Sequence, residues 1–233
     1  MRKIILAAGL AASVAACASP YVGKPYDRAT AQVTTIEVVD DAAPPNATAW
    51  EVASAGSNFG LIGAIADAGI TASREKAIND ALGGVGFDAE AKLEQRISRK
   101  LGGEGYTVSV GSGGERKKRV FLKTYASTTG KPDAYLDIVV TNYGYLSAGM
   151  GQPWRPTASA TVRLVRASDN VVLMENQIVY NAMYVQQGVI TLTPNPEFAF
   201  KNREDMVSDP ARLAAGIEDA LDQVADTAVG LLR

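Results

Sequence analysis

The sequence contains no histidine. That removes the side chain that titrates near neutrality, and with it the commonest general base, the Ser–His and Cys–His nucleophile pairs and the usual zinc ligand. A single cysteine, Cys17, excludes an intramolecular disulfide and a thiolate metal cluster. Neither sign of charge dominates, with 23 basic and 25 acidic residues and a formal net charge of −2. Setting aside Arg2 and Lys3 leaves 23 − 2 = 21 basic residues against 25 acidic, or −4. A mildly acidic chain lacks the positive surface that displaces counterions from nucleic acid. An enzyme built from it would have to work with carboxylates, lysine, tyrosine or serine alone, and no cofactor motif is present: Gly111–Gly114 lacks the Gly-Lys-Ser/Thr ending of a phosphate loop.

What is present is a chain of 233 residues, 47% hydrophobic and 21% charged, the ordinary mixture for one folded domain with a sizeable core. Its N-terminus is set apart. Arg2 and Lys3 precede an apolar run of 13 residues, Ile4–Ala16, long enough for a secretory signal but short of the roughly 20 residues of a membrane span. The run ends in Val14-Ala15-Ala16-Cys17, which resembles the lipobox of bacterial lipoproteins. Small side chains suit a peptidase pocket, and only the thiol of Cys17 can form a thioether to diacylglycerol. The resemblance implies cleavage before Cys17 and acylation there, and two or three chains at about 0.8 kcal/mol per buried methylene give a stable anchor. Ala18 stands where aspartate would signal inner-membrane retention in enterobacterial lipoproteins, so the implied location is the periplasmic face of the outer membrane. The expected division is a signal peptide over 1–16, a lipidated tether over 17–31 and a single periplasmic α/β domain over 32–233.

The β-branched run Val33–Val39 reads as a first strand, with a short strand near Ala49–Val52. An apolar, small-residue helix begins at Phe59 and ends at Gly83-Gly84. Asp88 caps a second helix with Leu93, Ile97 and Leu101 on one stripe, closed by Gly102-Gly103 before a strand at Tyr106–Val110. Asp133–Leu146 alternates, placing Ala134, Leu136, Ile138 and Val140 on one face and Asp133, Tyr135, Asp137, Tyr143 and Tyr145 on the other. Thr157–Ala167 and Val171–Tyr184 form a hairpin around Ser168-Asp169-Asn170. A three-residue loop there pairs Arg163 with Glu175, Leu164 with Met174 and Val165 with Leu173. Asp209-Pro210 opens a last helix striped by Leu213, Ile217, Leu221, Val224, Ala228 and Leu231. The fold class expected is α/β, with a mixed or antiparallel sheet of about four or five strands and helices mainly on one face.

This order of elements, with D-A-Y-L-D-I-V-V-T-N-Y-G on the long strand and V-R-L-V-R-A-S-D-N-V-V-L in the hairpin, resembles a group of periplasmic lipoproteins over residues 88–184. The group comprises the curli-secretion type, the penicillin-binding-protein-activator type and domains like the N-terminal domain of the Tol–Pal translocation protein. Arg166–Met174 departs from the group's usual hairpin, having neither its glycine nor its tryptophan.

Three clusters are candidates for binding. Arg116, Lys117, Lys118 and Arg119 follow a glycine-rich stretch, and as a mobile loop they suit lipid phosphates, or more commonly a solvated strand end. Tyr143, Tyr145, Trp154 and Tyr180, with Tyr184, surround the loop 147–156 and suit a glycan or peptide if exposed, or core packing if not. The small residues of the helix from Phe59 to Ser73 suit close packing on the domain's own sheet, or a partner. Asp133 and Asp137 share a strand face, a pattern that serves acid–base work but more commonly a solvated face. The reading is a non-catalytic, lipid-anchored binding or accessory protein supporting another envelope complex. Its expected partners are the membrane, through Cys17, and an envelope protein, with a homo-oligomer as a further option. The alternative is a carboxylate-dependent hydrolase of cell-wall glycan or peptide.

Overall fold

The computed structural model describes residues 21–52, 60–112, 116, 118–126 and 130–233, with side chains excluded over 60–67. Cys17, Lys117 and the signal segment lie outside the described residues. The order is α1 (Arg28–Ala31), β1 (Thr35–Val38), β2 (Thr48–Glu51), α2 (Gly60–Gly84), α3 (Ala89–Gly103), β3 (Thr107–Val110), β4 (Ala134–Ser147), β5 (Trp154–Arg166), β6 (Val172–Tyr180), β7 (Ile190–Leu192), α4 (Arg203–Ser208) and α5 (Pro210–Gly230).

The strands form one mixed sheet of seven in the order β3-β1-β4-β5-β6-β7, with β2 also on β4. This exceeds the four or five expected. β7 has three residues, too few for a period, whereas β2 falls within one residue of the short strand expected near Ala49–Val52. β1 and β2 lie parallel to the two ends of β4, at Ala134–Leu136 and Gly144–Ser147. The second pairing requires Gly144, whose φ is 140° and whose missing Cβ leaves room for the Thr48 backbone.

Local chemistry sets the helices as expected. Asp88 accepts from the Ala91 N–H at 3.0 Å and Asp209 from the Arg212 N–H at 3.1 Å, capping α3 and α5. The α5 stripe Leu213, Ile217, Leu221, Val224 and Ala228 is buried in one core with Leu93, Ile97 and Leu101 of α3 and Leu136, Ile138, Ala160, Val162 and Ile178 of the sheet. Arg96 and Lys100 of α3 bridge Asp226 of α5 at 2.7 and 2.8 Å. α2 adds Ile78 and Leu82 to the same core, so the three long helices pack on one face.

Two β-bulges correct the expected patterns. The register of β4 on β5 shifts between Val140 and Asn142, and beyond it Tyr143 and Tyr145 join Leu136, Ile138 and Val140 on the core face. In the hairpin, Arg163 pairs with Glu175 and Leu164 with Met174 as expected, but Val165 pairs with Val172 instead of Leu173. The bulge turns Leu173 into the core beside Met174 and leaves a four-residue loop, 167–170, closed by Asn170 N–H to Arg166 O at 2.9 Å, with Asn170 at φ 57°.

Residues 21–31, read from sequence as part of a tether, are held to the domain. Lys24 pairs with Glu175 at the edge of β6, Tyr26 packs on the core and Arg28 donates to Glu104 O at 2.8 Å.

Candidate functional site

The sheet face opposite the helices is divided in two. The half toward the start of β4 is covered by residue 116 and residues 118–126. Asp137, expected on a solvated face, is wholly buried there: it accepts from Arg116 Nη2 at 2.8 Å, the Leu122 N–H at 3.0 Å and the Tyr125 hydroxyl at 2.9 Å. Tyr125 stacks on Tyr135 at 5.3 Å, and Arg163 lies over the Phe121 ring at 4.1 Å. Burial, then the Asp137 charge, pushes the Tyr125 hydroxyl up. Arg119 bridges Asp41 at 2.6 Å. Two of the four expected lipid-phosphate cations are therefore internal struts, and Lys118 alone of the described ones is exposed. Asp133 is likewise structural, accepting from the Thr34 and Thr35 N–H groups at 2.9 Å, and these bonds, Thr34's first, lower its pKa to about 2.

Of the two readings of the aromatic cluster, core packing holds for four of its members. Tyr143, Tyr145, Trp154 and Tyr180 are buried in the core. The Tyr145 hydroxyl donates to Phe198 O at 3.1 Å, in space left by Gly216, and the Tyr180 hydroxyl donates to Asp219 at 2.6 Å. Burial raises the pKa of Tyr143 to about 12, with Asp88 and Glu90 adding to it. Alternation carried through the bulge put Tyr143 and Tyr145 on the wrong face. The spacing held a signal of it, because two polar residues, Thr141-Asn142, separate the even-numbered apolar series from the odd-numbered tyrosines.

The other half of the face, toward the end of β4, is open. It forms a groove of about 280 Å³ whose floor is Asn142, Thr157, Ser159, Gln177 and Val179. One wall is Thr48 and Trp50 of β2, and the other is the β6–β7 connection, including Met183, Tyr184 and Gln186. Trp50 and Tyr184 are exposed at its rim. Among the described residues, no carboxylate, lysine or arginine lines it. Sequence reasoning named Tyr184 but missed Trp50 and the floor, which are ordinary outward residues of four separate strands and share no local motif.

A separate cluster brings Asp40, Glu90 and Glu94 together, with one oxygen of each within 4.8 Å of the others. Glu90 is engaged by the Ala42 and Ala43 N–H groups at 2.8 and 2.5 Å. Glu94 keeps Oε1 buried without a partner, and burial first, then the charges of Glu90 and Asp40, raises its pKa to about 7. Of the small residues named on this helix, Ala68, Gly69 and Ala72 are exposed and do not pack on the domain's own sheet as the default reading had it, and the side chains at 63 and 66 lie outside the described residues.

No protein-family model and no curated protein match the chain. Among solved structures it is similar to a Xanthomonas campestris protein of the DUF330 family, at 16% identity and a TM-score of 0.45, over 91% of this chain and 90% of that one. It is also similar to two crystal forms of a PelC dodecamer from Paraburkholderia phytofirmans, at 10% identity and TM-scores of 0.39 and 0.40, over 91% of this chain and 96% of those.

Proposed function

We propose that the chain is a lipid-anchored, non-catalytic binding protein of the bacterial envelope. It is acylated at Cys17, held on the periplasmic face of the outer membrane, and engages a segment of an envelope protein partner in the open groove. The observation that carries the binding reading is the lining of that groove. Amides and hydroxyls on its floor with Trp50 and Tyr184 at its rim suit an uncharged polar segment, held by hydrogen bonds and ring contacts. Apart from the phenol of Tyr184, the lining offers no acid or base for chemistry among the described residues. The anchor rests on Val14-Ala15-Ala16-Cys17 and on the resemblance of residues 88–184 to periplasmic lipoproteins.

One observation favours the rival hydrolase. Glu94, with a pKa of about 7 beside Glu90, has the character of a general acid. Its buried Oε1 and the engagement of Glu90 by two backbone N–H groups fit a structural pair better.

The test is affinity purification of the acylated protein from envelopes, set beside an Asn142→Ala/Gln177→Ala variant that retains its circular dichroism. A partner captured by the parent and lost from the variant supports the reading. Equal capture by both overturns the groove, and peptidoglycan hydrolysis abolished by Glu94→Gln would install the rival.

A further inference from the structure

The most exposed apolar side chains are not scattered. Among the described residues, the five most exposed large hydrophobics are Val22, Trp50, Met150, Tyr184 and Val185, each between 60 and 83% exposed. Four of them, Trp50, Met150, Tyr184 and Val185, lie toward one end of the sheet. Trp50 is one residue from the end of β2 and pairs with Leu146, one residue from the end of β4. Met150 is in the connection from β4 to β5, and Tyr184 and Val185 are in the connection leaving the C-terminal end of β6. Val120, the next most exposed, is at the opposite end, where its carbonyl accepts from Arg116, the partner of Asp137 near the start of β4.

The N-terminal chain leads to the same end. Lys24 pairs antiparallel with Glu175, so stepping back from Lys24 to Tyr21 follows β6 toward Tyr180. Tyr21 reaches Gly188, where its carbonyl fills the space a Cβ would take. Val185 is three residues from Gly188, a backbone reach of at most about 11 Å, and Cys17 is four residues before Tyr21, at most about 14 Å of extended chain. That length of chain is enough to reach the exposed end from Tyr21.

Helix α2 adds a third element. Asn79 donates to Ala47 O at 2.8 Å and Arg74 bridges Glu51 at 2.7 Å, so the helix runs antiparallel to β2 and its turns before Arg74 overhang this end. That overhang, Gly60–Ser73, has the sequence GLIGAIADAGITAS, with Asp67 as its single charge, and Ile70 is exposed on it.

We infer that this end of the sheet is the surface seated on the lipid bilayer, with Trp50 and Tyr184 at headgroup level and Met150 and Val185 against the acyl boundary. Tryptophan, tyrosine and apolar tips on a rigid frame are the side chains that partition into this interface, and they add to the hold of the acyl chains. The inference rests on acylation of Cys17. It sets the orientation of the domain: the open groove lies beside the membrane surface, and Arg116, Lys118 and Arg119 face away from it. A membrane contact through those cations would require the inverse orientation.

The full acylated protein in vesicles of phosphatidylethanolamine and phosphatidylglycerol tests this. Acylation blocks the one native thiol, so a single cysteine introduced as Val185→Cys, Met150→Cys or Val120→Cys takes an environment-sensitive dye alone. All three positions are exposed, and circular dichroism checks each fold. The expected result is a blue shift, and quenching by spin-labelled lipid at least twofold greater, at positions 185 and 150 relative to 120. Quenching at 120 equal to or above that at 185 and 150, or water-like emission from all three, overturns the seat. Intact mass separates the two readings. Acyl chains present with no quenching at 185 and 150 refutes the seat alone, whereas a mass without acyl chains refutes the anchor and the seat with it.

Discussion

Replacing Asp137 by asparagine should strand a cation. Arg116 is 2% exposed and Asp137 fully buried, so neither charge has water to fall back on. Removing one partner of a buried pair costs about 3–5 kcal/mol, because the remaining charge is left uncompensated. At about 2–4 °C per kcal/mol for a domain of this size, Asp137→Asn should lower the melting temperature by about 6–20 °C. Asparagine keeps an acceptor for the Leu122 N–H and the Tyr125 hydroxyl, so the effect reports the charge more than the hydrogen bonds. The control is Arg116→Met in the same background, which removes the stranded cation and should recover much of the loss. Chemical denaturation of the two single variants and the double gives the cycle, with an expected coupling of at least about 2 kcal/mol. Near-ultraviolet circular dichroism follows the Tyr125–Tyr135 stack and should weaken in the single variant if residues 116–126 lift from the sheet. Losses that add to within about 0.5 kcal/mol would refute the reasoning, since independent sites behave that way.

Two further outcomes follow from the core and from the carboxylate cluster. Leu221→Ala empties a buried position of the α5 stripe and should cost about 2–5 kcal/mol in denaturation, and an unchanged melting temperature would mean that α5 does not pack as described. Glu94 has its folded pKa raised from 4.5 to about 7, so its contribution to stability is fully present below pH 4.5 and is lost as pH rises through 7. The neutral Glu94→Gln variant should therefore gain on the parent with rising pH, by about 1 kcal/mol after discounting for solvent screening of a partly exposed group. A difference in melting temperature that stays flat from pH 4.5 to 8 would remove Glu94 as its source.

The elements that sequence reasoning placed well are those whose cause is local. Asp88 and Asp209 cap helices because a side-chain oxygen reaches an N–H three residues on. The Arg163–Glu175 and Leu164–Met174 pairs are set by matching polar and apolar neighbours across a short loop. Register failed where one extra residue was inserted, at Thr141 and at Leu173. A bulge leaves the count of apolar residues unchanged and alters only which face they share. β7 was missed because three residues carry too little pattern to stand out from loop.

The site was hidden for a different reason, which is that charge and aromatic content do not report exposure. Arg116 and Arg119 read as a mobile basic loop because their partners, Asp137 and Asp41, lie 21 and 78 residues away. A cation run becomes a strut once distant carboxylates meet it, and here a whole half of the sheet face is closed by that meeting. The same redistribution applies to the rings. Four of the five aromatics open to a platform or a core reading went to the core, and the exposed rings are Trp50 and Tyr184, on strands and loops that only tertiary pairing brings together. Closing one half of a sheet face with buried ion pairs leaves the other half as the one place on that face where polar floor residues and exposed rings share a groove among the described residues. The binding surface is thus defined as much by what covers its neighbour as by its own residues. Loosening the Arg116–Asp137 strut should expose Tyr135 and its surroundings without altering the groove floor, so a partner bound in the groove should still be captured by Asp137→Asn at temperatures where that variant is folded.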